Sequence, residues 1–339
     1  MPFLFLFLPL TERLLPMSSS LSSLRAAALA LGVLGAAITP SVALAAAPMV
    51  KTQAPGFYRV MLGAFEVTAL SDGTVDLPVD TLLHGPAGTV AAKLAAAHQK
   101  SPVETSVIGF LVNTGDKLVL IDTGAGALFG PTLGKLGASL RAAGYQPEQV
   151  DEVLLTHAHP DHVGGLMGPG GVAFPNATVR LDEADAQYWL SAAKMDAAPA
   201  QAKGFFQGAM ASLNPYAEAG RLKPFAAGSE LLPGIRAIAA RGHSAGHTVY
   251  AVESQGQRML LIGDLIHVGA VQLEDPRVTI AFDGDEPAAA ATRRTVFARA
   301  AKENLLIGAP HLPFPGLGHL RQVGSSYRWL PVDYTTQLK

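Results

Sequence analysis

Cysteine is absent from the 339 residues, so disulfides and thiolate ligands are excluded and any metal must be held by nitrogen and oxygen. Charge is scarce too: charged residues make up 15%, the formal net charge is −2, and no basic block interrupts the chain. That balance argues against nucleic acid as a partner. There is no internal repeat, no low-complexity linker and no P-loop, and covalent serine chemistry is not expected. With 49% hydrophobic residues the chain can bury a substantial core, which argues against global disorder.

No apolar run is long enough to span a bilayer comfortably; the best, Ala26 to Ile38, is too short. It follows the serine-rich start at Met17 and Arg25, and leads to Ala43-Leu44-Ala45, the small-x-small form that signal peptidase reads. Residues 1–47 therefore read as an N-terminal extension and signal peptide, with Met17 the expected start and cleavage near Ala45 to Ala47. Export to the periplasm or beyond is expected, with no stable membrane anchor after cleavage. Residues 48–339 are then expected to form one folded domain.

What is present is concentrated. Thr156-His157-Ala158-His159-Pro160-Asp161-His162 follows the apolar run Val153 to Leu155, so a strand ends in a turn that can fan imidazoles and a carboxylate around one point. Neutral imidazole nitrogen and carboxylate oxygen are ligands that zinc and similar divalent ions accept. Later candidates arrive in the same way: His243 after a strand near Ile238, Asp264 after Leu260 to Ile262, His311 after Leu305 to Ile307. Seven candidates exceed the needs of one tetrahedral ion but suit two ions sharing a carboxylate.

Elsewhere, Tyr58 to Val60 and Phe65 to Leu70 read as strands, the second stopped by Ser71-Asp72-Gly73. A hairpin is expected about Asn113 to Asp116, and a helix over Leu133 to Ala143. Another helix should run from the cap Asp182 to Ala193, a short one over Gly204 to Leu213, and one from Pro287 to Lys302 capped by Asp285. Strands near Ile235, Val249 and Met259 follow, and Leu305 to Ile307 reads as the last inner strand. Strand groups with helices inserted suit two sheets packed face to face with helices outside.

His-x-His-x-Asp-His, then Gly-His, then Gly-Asp, then a late His resembles the metallo-β-lactamase superfamily, as does Asp122-Thr123-Gly124. The resemblance implies an α/β (α+β) four-layer αββα sandwich in a single domain. It implies one ion on His157, His159 and His243, another on Asp161, His162 and His311, with Asp264 bridging. Two divalent ions are the expected cofactors: zinc first, with manganese, cobalt or iron as alternatives.

Gly204-Phe205-Phe206, Ala209 to Tyr216 and His311 to Gly316 narrow the resemblance to methyl parathion hydrolase and its lactonase relatives, secreted binuclear enzymes that are commonly homodimers. This implies a substrate pocket at Phe129, Trp189 and Phe205. The chain departs from the phosphotriesterase pattern at Leu82, His267, Ile280 and Phe282, where that pattern resembles Arg, Leu, Thr and Leu. Ile280 and Phe282 should narrow the cavity toward a planar lactone or aryl ester. The expected function is opening such substrates by attack of a metal-bridging hydroxide, with organophosphate triesters secondary. Asp161, Asp264 and His267 are the catalytic candidates, Asp161 or His267 as leaving-group acid. His247 and Asp122 are expected to brace the ligands through hydrogen bonds. The rival readings are a methyl-parathion-type hydrolase, a β-lactamase, an iron-dependent oxidoreductase and a non-catalytic metal-binding protein.

Overall fold

In the computed structural model, residues 47–338 are described; the expected signal segment up to Ala46 lies outside them. Period-two alternation builds the sandwich. In the strand Val103–Asn113, Ile108, Phe110 and Val112 point to one face and Leu111 to the other, and both faces are buried. A strand apolar on both sides needs a layer above and a layer below it.

The first sheet takes β1 (Phe57–Leu62), β2 (Phe65–Leu77), β3 (Val103–Asn113), β4 (Leu118–Ile121), β5 (Glu152–Leu154) and β6 (Thr178–Arg180), in that spatial order. The second takes β7 (Glu230–Leu232), β8 (Ile235–Ala239), β9 (Thr248–Ser254), β10 (Gln257–Leu261), β11 (Leu306–Gly308), β12 (Leu317–Val323) and β13 (Ser326–Pro331), again in order. Neighbours are antiparallel except β4–β5, β5–β6 and β10–β11. Val67, Phe110 and Val119 of the first sheet meet Ala237, Tyr250 and Met259 of the second in the central core.

Among the described residues, the helices longer than one turn are α1 (Thr89–Ala96), α2 (Leu136–Ala142), α3 (Glu183–Trp189), α4 (Ala192–Ala197), α5 (Ala200–Glu218) and α6 (Glu286–Lys302). Leu136 and Leu140 of α2 and Phe206 and Leu213 of α5 cover the outer face of the first sheet. Phe297 and Ala300 of α6 cover that of the second. The result is a four-layer αββα sandwich, one compact unit from Thr52 onward.

Four expectations change. β2 does not stop at Ser71-Asp72-Gly73 but bulges there and runs on to Leu77. The buried Asp72 carboxylate accepts N–H bonds from Ala125, Gly134 and Leu136, so the polar triplet is an anchor inside a strand. The helix after Asp182 ends at Trp189; Ser191 caps a separate α4. The short helix around Gly204 is part of a longer one, because its buried stripe continues through Tyr216. A final hairpin, β12–β13, follows His311 and closes the second sheet.

Candidate metal centre

Each side chain of the centre sits just past a strand. β4 and β5 are parallel neighbours, so their C-terminal ends leave the sheet at one edge and deliver Asp122 and the segment His157 to His162 together. The parallel pair β10–β11 does the same for Asp264 and His311. His243 and His247 lie in the connection between β8 and β9. These loops converge into two sets, His157, His159, His243 and Asp264, and Asp161, His162, Asp264 and His311. Within each set the ligand atoms lie within 4.8 Å of one another.

Asp264 is the shared member. Its Oδ1 stands 3.0 Å from Nε2 of both His162 and His311. Its Oδ2 stands 3.2 Å from His243 Nε2 and 3.6 Å from His157 Nε2. Asp264 Oδ1 and the Nε2 atoms of His157, His162 and His311 are buried yet form no hydrogen bond, despite this crowding. Buried polar groups normally find partners. Several lone-pair donors converging without partners fit a divalent cation, and the all-nitrogen-and-oxygen set fits zinc or a similar ion.

The opposite ring nitrogens are held, which fixes the rings. His162 Nδ1 meets Asp122 Oδ2 at 2.9 Å, and Asp122 also accepts from the Thr156 N–H and hydroxyl at 2.8 Å. His311 Nδ1 donates to the Ser106 carbonyl, which leaves Nε2 as the free lone pair. His243 Nδ1 lies 2.8 Å from Asp283 Oδ1. His247 donates to the Ala240 carbonyl through Nδ1 and accepts the Asp264 N–H through Nε2, so it fixes the backbone of the shared carboxylate. Gly263 is needed beside it: its φ is +51°, and a Cβ would lie 2.6 Å from His247 Nε2.

Burial dominates the electrostatics. It pushes the pKa of His157 and His159 well below the ordinary range, so both rings are neutral. Burial also opposes charge on His162, but Asp264, Asp161 and Asp122 outweigh it and raise that pKa well above the usual value. Asp264 stays ionised despite burial because imidazoles surround it.

A cavity of about 790 Å³ opens beside the first set, where His159 and His243 form part of its lining. Leu82, Trp189, Phe205 and Phe282 also line it. Three pocket candidates lie elsewhere. Ile280 is sealed in a cluster with Val79, Val268 and Val278, because its strand residue pairs with Leu83. Phe129 is a surface residue, 40% exposed, in the loop after β4. His267 is turned inward: its Nε2 is 3.1 Å from Asp264 Oδ2 and its ring stacks on His311.

Gly242-His243-Ser244-Ala245-Gly246 does have Gly-x-Ser-x-Gly spacing. It leads toward a strand, not from a strand into a helix, and the Ser244 hydroxyl donates to Asp185 with no histidine bonded to it. It is therefore a brace, not a nucleophile. Asp185, buried in α3, also accepts the N–H groups of Ala158 and Gly246, and so ties two ligand loops together. Neither Asp185 nor Asp283 stood out in the sequence. An Asp inside a helix and an Asp in a Gly-rich turn look like a surface residue and a cap.

Residues 104–311 match the family model of the metallo-beta-lactamase superfamily. A crystal structure of hydrolase AbOPH in the beta lactamase superfamily is 37% identical, covering 84% of this chain and 100% of its own, with a TM-score of 0.80. AidC, a dizinc quorum-quenching lactonase in complex with a product N-hexnoyl-L-homoserine, is 26% identical over 83% of this chain and 99% of its own, with a TM-score of 0.76. A probable metal-dependent hydrolase from Staphylococcus aureus shares the fold at 19% identity, TM-score 0.66, over 82% of this chain and 100% of its own. None of the curated proteins compared matches the sequence.

Proposed function

The chain belongs to the metallo-beta-lactamase superfamily, and from that premise we propose that this metallohydrolase opens lactones or aryl esters at a two-ion centre. The observation that carries the reading is the pair of ligand sets sharing Asp264 beside a cavity with aromatic walls. His157, His159, His243 and Asp264 would hold one ion, and Asp161, His162, Asp264 and His311 the other. Bound there, two divalent ions, zinc on this reading, would supply an activated water and electrophilic stabilisation of the oxyanion.

The chain's own residues do the rest. Trp189, Phe205 and Phe282 exclude water and hold the flat, apolar part of the substrate, with its carbonyl toward His159 and His243. Leu82 keeps the facing wall apolar. Neither His162 nor His311 can leave its place, because Asp122 and the Ser106 carbonyl grip the far nitrogen of each. Asp161 is the most exposed side chain of the two sets, 21% against 4% or less for His311, His162 and Asp264. His162 and His311 hold its carboxylate ionised and below the usual carboxylate range, so it would carry a proton only in passing, on the way to the leaving oxygen. Neither residue lines the cavity; the side chain of Asp161 is 21% exposed against 3% for His267, which touches Asp264, and this favours Asp161 for that task.

The lactonase relative of similar fold is consistent with this substrate class. A periplasmic or secreted homodimer is part of the same reading, supported by the segment from Met17 to Ala47 and by the sequence resemblance. Parallel turnover of the metal-loaded protein on an aromatic lactone and on methyl parathion tests the substrate. Faster lactone opening is expected. Dominant phosphotriester cleavage would instead make the chain a methyl-parathion-type hydrolase and overturn the reading of Leu82 and Phe282.

A further inference from the structure

The segment from Thr279 to Asp285 is engaged on two sides. Phe282 forms cavity wall, and the next residue, Asp283, is buried against His243. Asp283 Oδ1 lies 2.8 Å from His243 Nδ1, while Oδ2 accepts the Ile280 N–H at 3.1 Å. Arg293 of α6, itself fully buried, stands behind it with Nη2 3.6 Å from Asp283 Oδ2. The same guanidinium donates to the carbonyls of Pro276, Val278 and Leu265, the last being next to Asp264. One buried arginine thus anchors both the turn that carries Asp283 and the turn that carries the shared carboxylate.

No direct contact joins Asp283 to the second set. Its single histidine partner, His243, belongs only to the set of His157, His159 and Asp264. The corresponding carboxylate partner in the second set is Asp122, on His162. The two sets therefore have separate carboxylate–histidine supports, and such outer partners commonly change metal affinity by about 10–100-fold.

We propose that Asp283 is a positioning residue which, held by Arg293, orients His243 and sets the metal affinity of the His157–His159–His243–Asp264 set independently of the other. The inference rests on the two-ion reading of the centre. In the neutral, ligating ring Asp283 accepts from Nδ1–H, which leaves His243 Nε2 as the lone pair facing Asp264 and His159. Without that acceptor the ring can rotate or change tautomer, and the ligand is no longer organised before the ion arrives. The neutral amide of asparagine keeps an acceptor oxygen, so it should preserve part of the effect; alanine removes it.

The experiment titrates cobalt(II) into metal-free wild type, Asp283→Asn and Asp283→Ala, reading stoichiometry, stepwise affinity and the visible d–d spectrum. Circular dichroism confirms that each variant is folded. Wild type is expected to bind two ions. In Asp283→Ala one step should weaken by about 10–100-fold, with the other within about twofold, and Asp283→Asn should fall between. Asp122→Asn should weaken one step too, but with loss of the other set's spectral component. Equal weakening of both steps, or none, in a folded Asp283→Ala protein would overturn the role of Asp283. Fewer than two ions in wild type would instead overturn the two-ion reading. An unfolded alanine variant leaves the asparagine variant to decide: it must show the same one-sided loss.

Discussion

At the scale of single residues, Asp264 has the most demanding position: its two oxygens face imidazoles of both sets from inside the protein. Asp264→Asn removes the charge and leaves one oxygen. Ion content should fall and turnover should drop by more than about 100-fold, beyond what outer partners cost. Metal analysis beside kinetics checks this; near-normal values for both would sink the assignment. The histidines add a pH dependence. Burial favours neutral His243, but Asp264 and Asp283 outweigh it and lift its pKa to about 9 in the metal-free chain. Ligation needs the neutral ring, so below that pH an ion must displace a proton. Apparent zinc affinity should therefore rise with pH, by roughly tenfold per unit for each proton released, and level off above the folded pKa. Competition titrations on either side of neutrality read the slope. The ligand motif was legible because its residues are contiguous and chemically unusual. Asp283 and Asp185 were not, since a lone aspartate reveals its partner only when distant loops meet.

Elements show where local patterns mislead. Ser71-Asp72-Gly73 has the composition of a turn, yet it is a bulge within β2. Composition reports what a segment can do alone; here three backbone N–H groups from elsewhere claim the Asp72 side chain. Asp72→Ala should leave those donors without a protein partner and cost about 3 kcal/mol or more, read by urea unfolding. A loss below the error of that measurement would mean water replaces the carboxylate. The caps were easier to read: Asp182 accepts the Ala184 N–H and Asp285 the Ala288 N–H, as local N-cap chemistry requires. Helix ends set by caps were visible, whereas the reach of α5 depends on the core that its stripe covers.

The whole molecule draws these elements into one edge. Tyr250 of the second sheet donates to the Leu155 carbonyl at the end of β5 at 2.6 Å, linking the two sheets beside the ligand loop. Tyr250→Phe should cost about 1 kcal/mol or somewhat more, read as a lower unfolding midpoint in denaturant. Ions that bind only the folded chain stabilise it through the same edge. At free ion a thousandfold above Kd, each site adds about 4 kcal/mol, so chelation should lower the melting temperature and added zinc restore it. An unchanged melting temperature would argue against tight binding. The sequence by itself determined the layered sandwich, the candidate ligands and their order along the chain, because alternation and residue chemistry are local properties. Only the tertiary structure decided that Ile280 is core, that Phe129 is on the surface and that His267 faces Asp264, since burial depends on what other segments pack against a position. It also decided that His243 rests on Asp283 and His162 on Asp122, because such pairings arise from residues about 40 positions apart that the fold brings within hydrogen-bond reach.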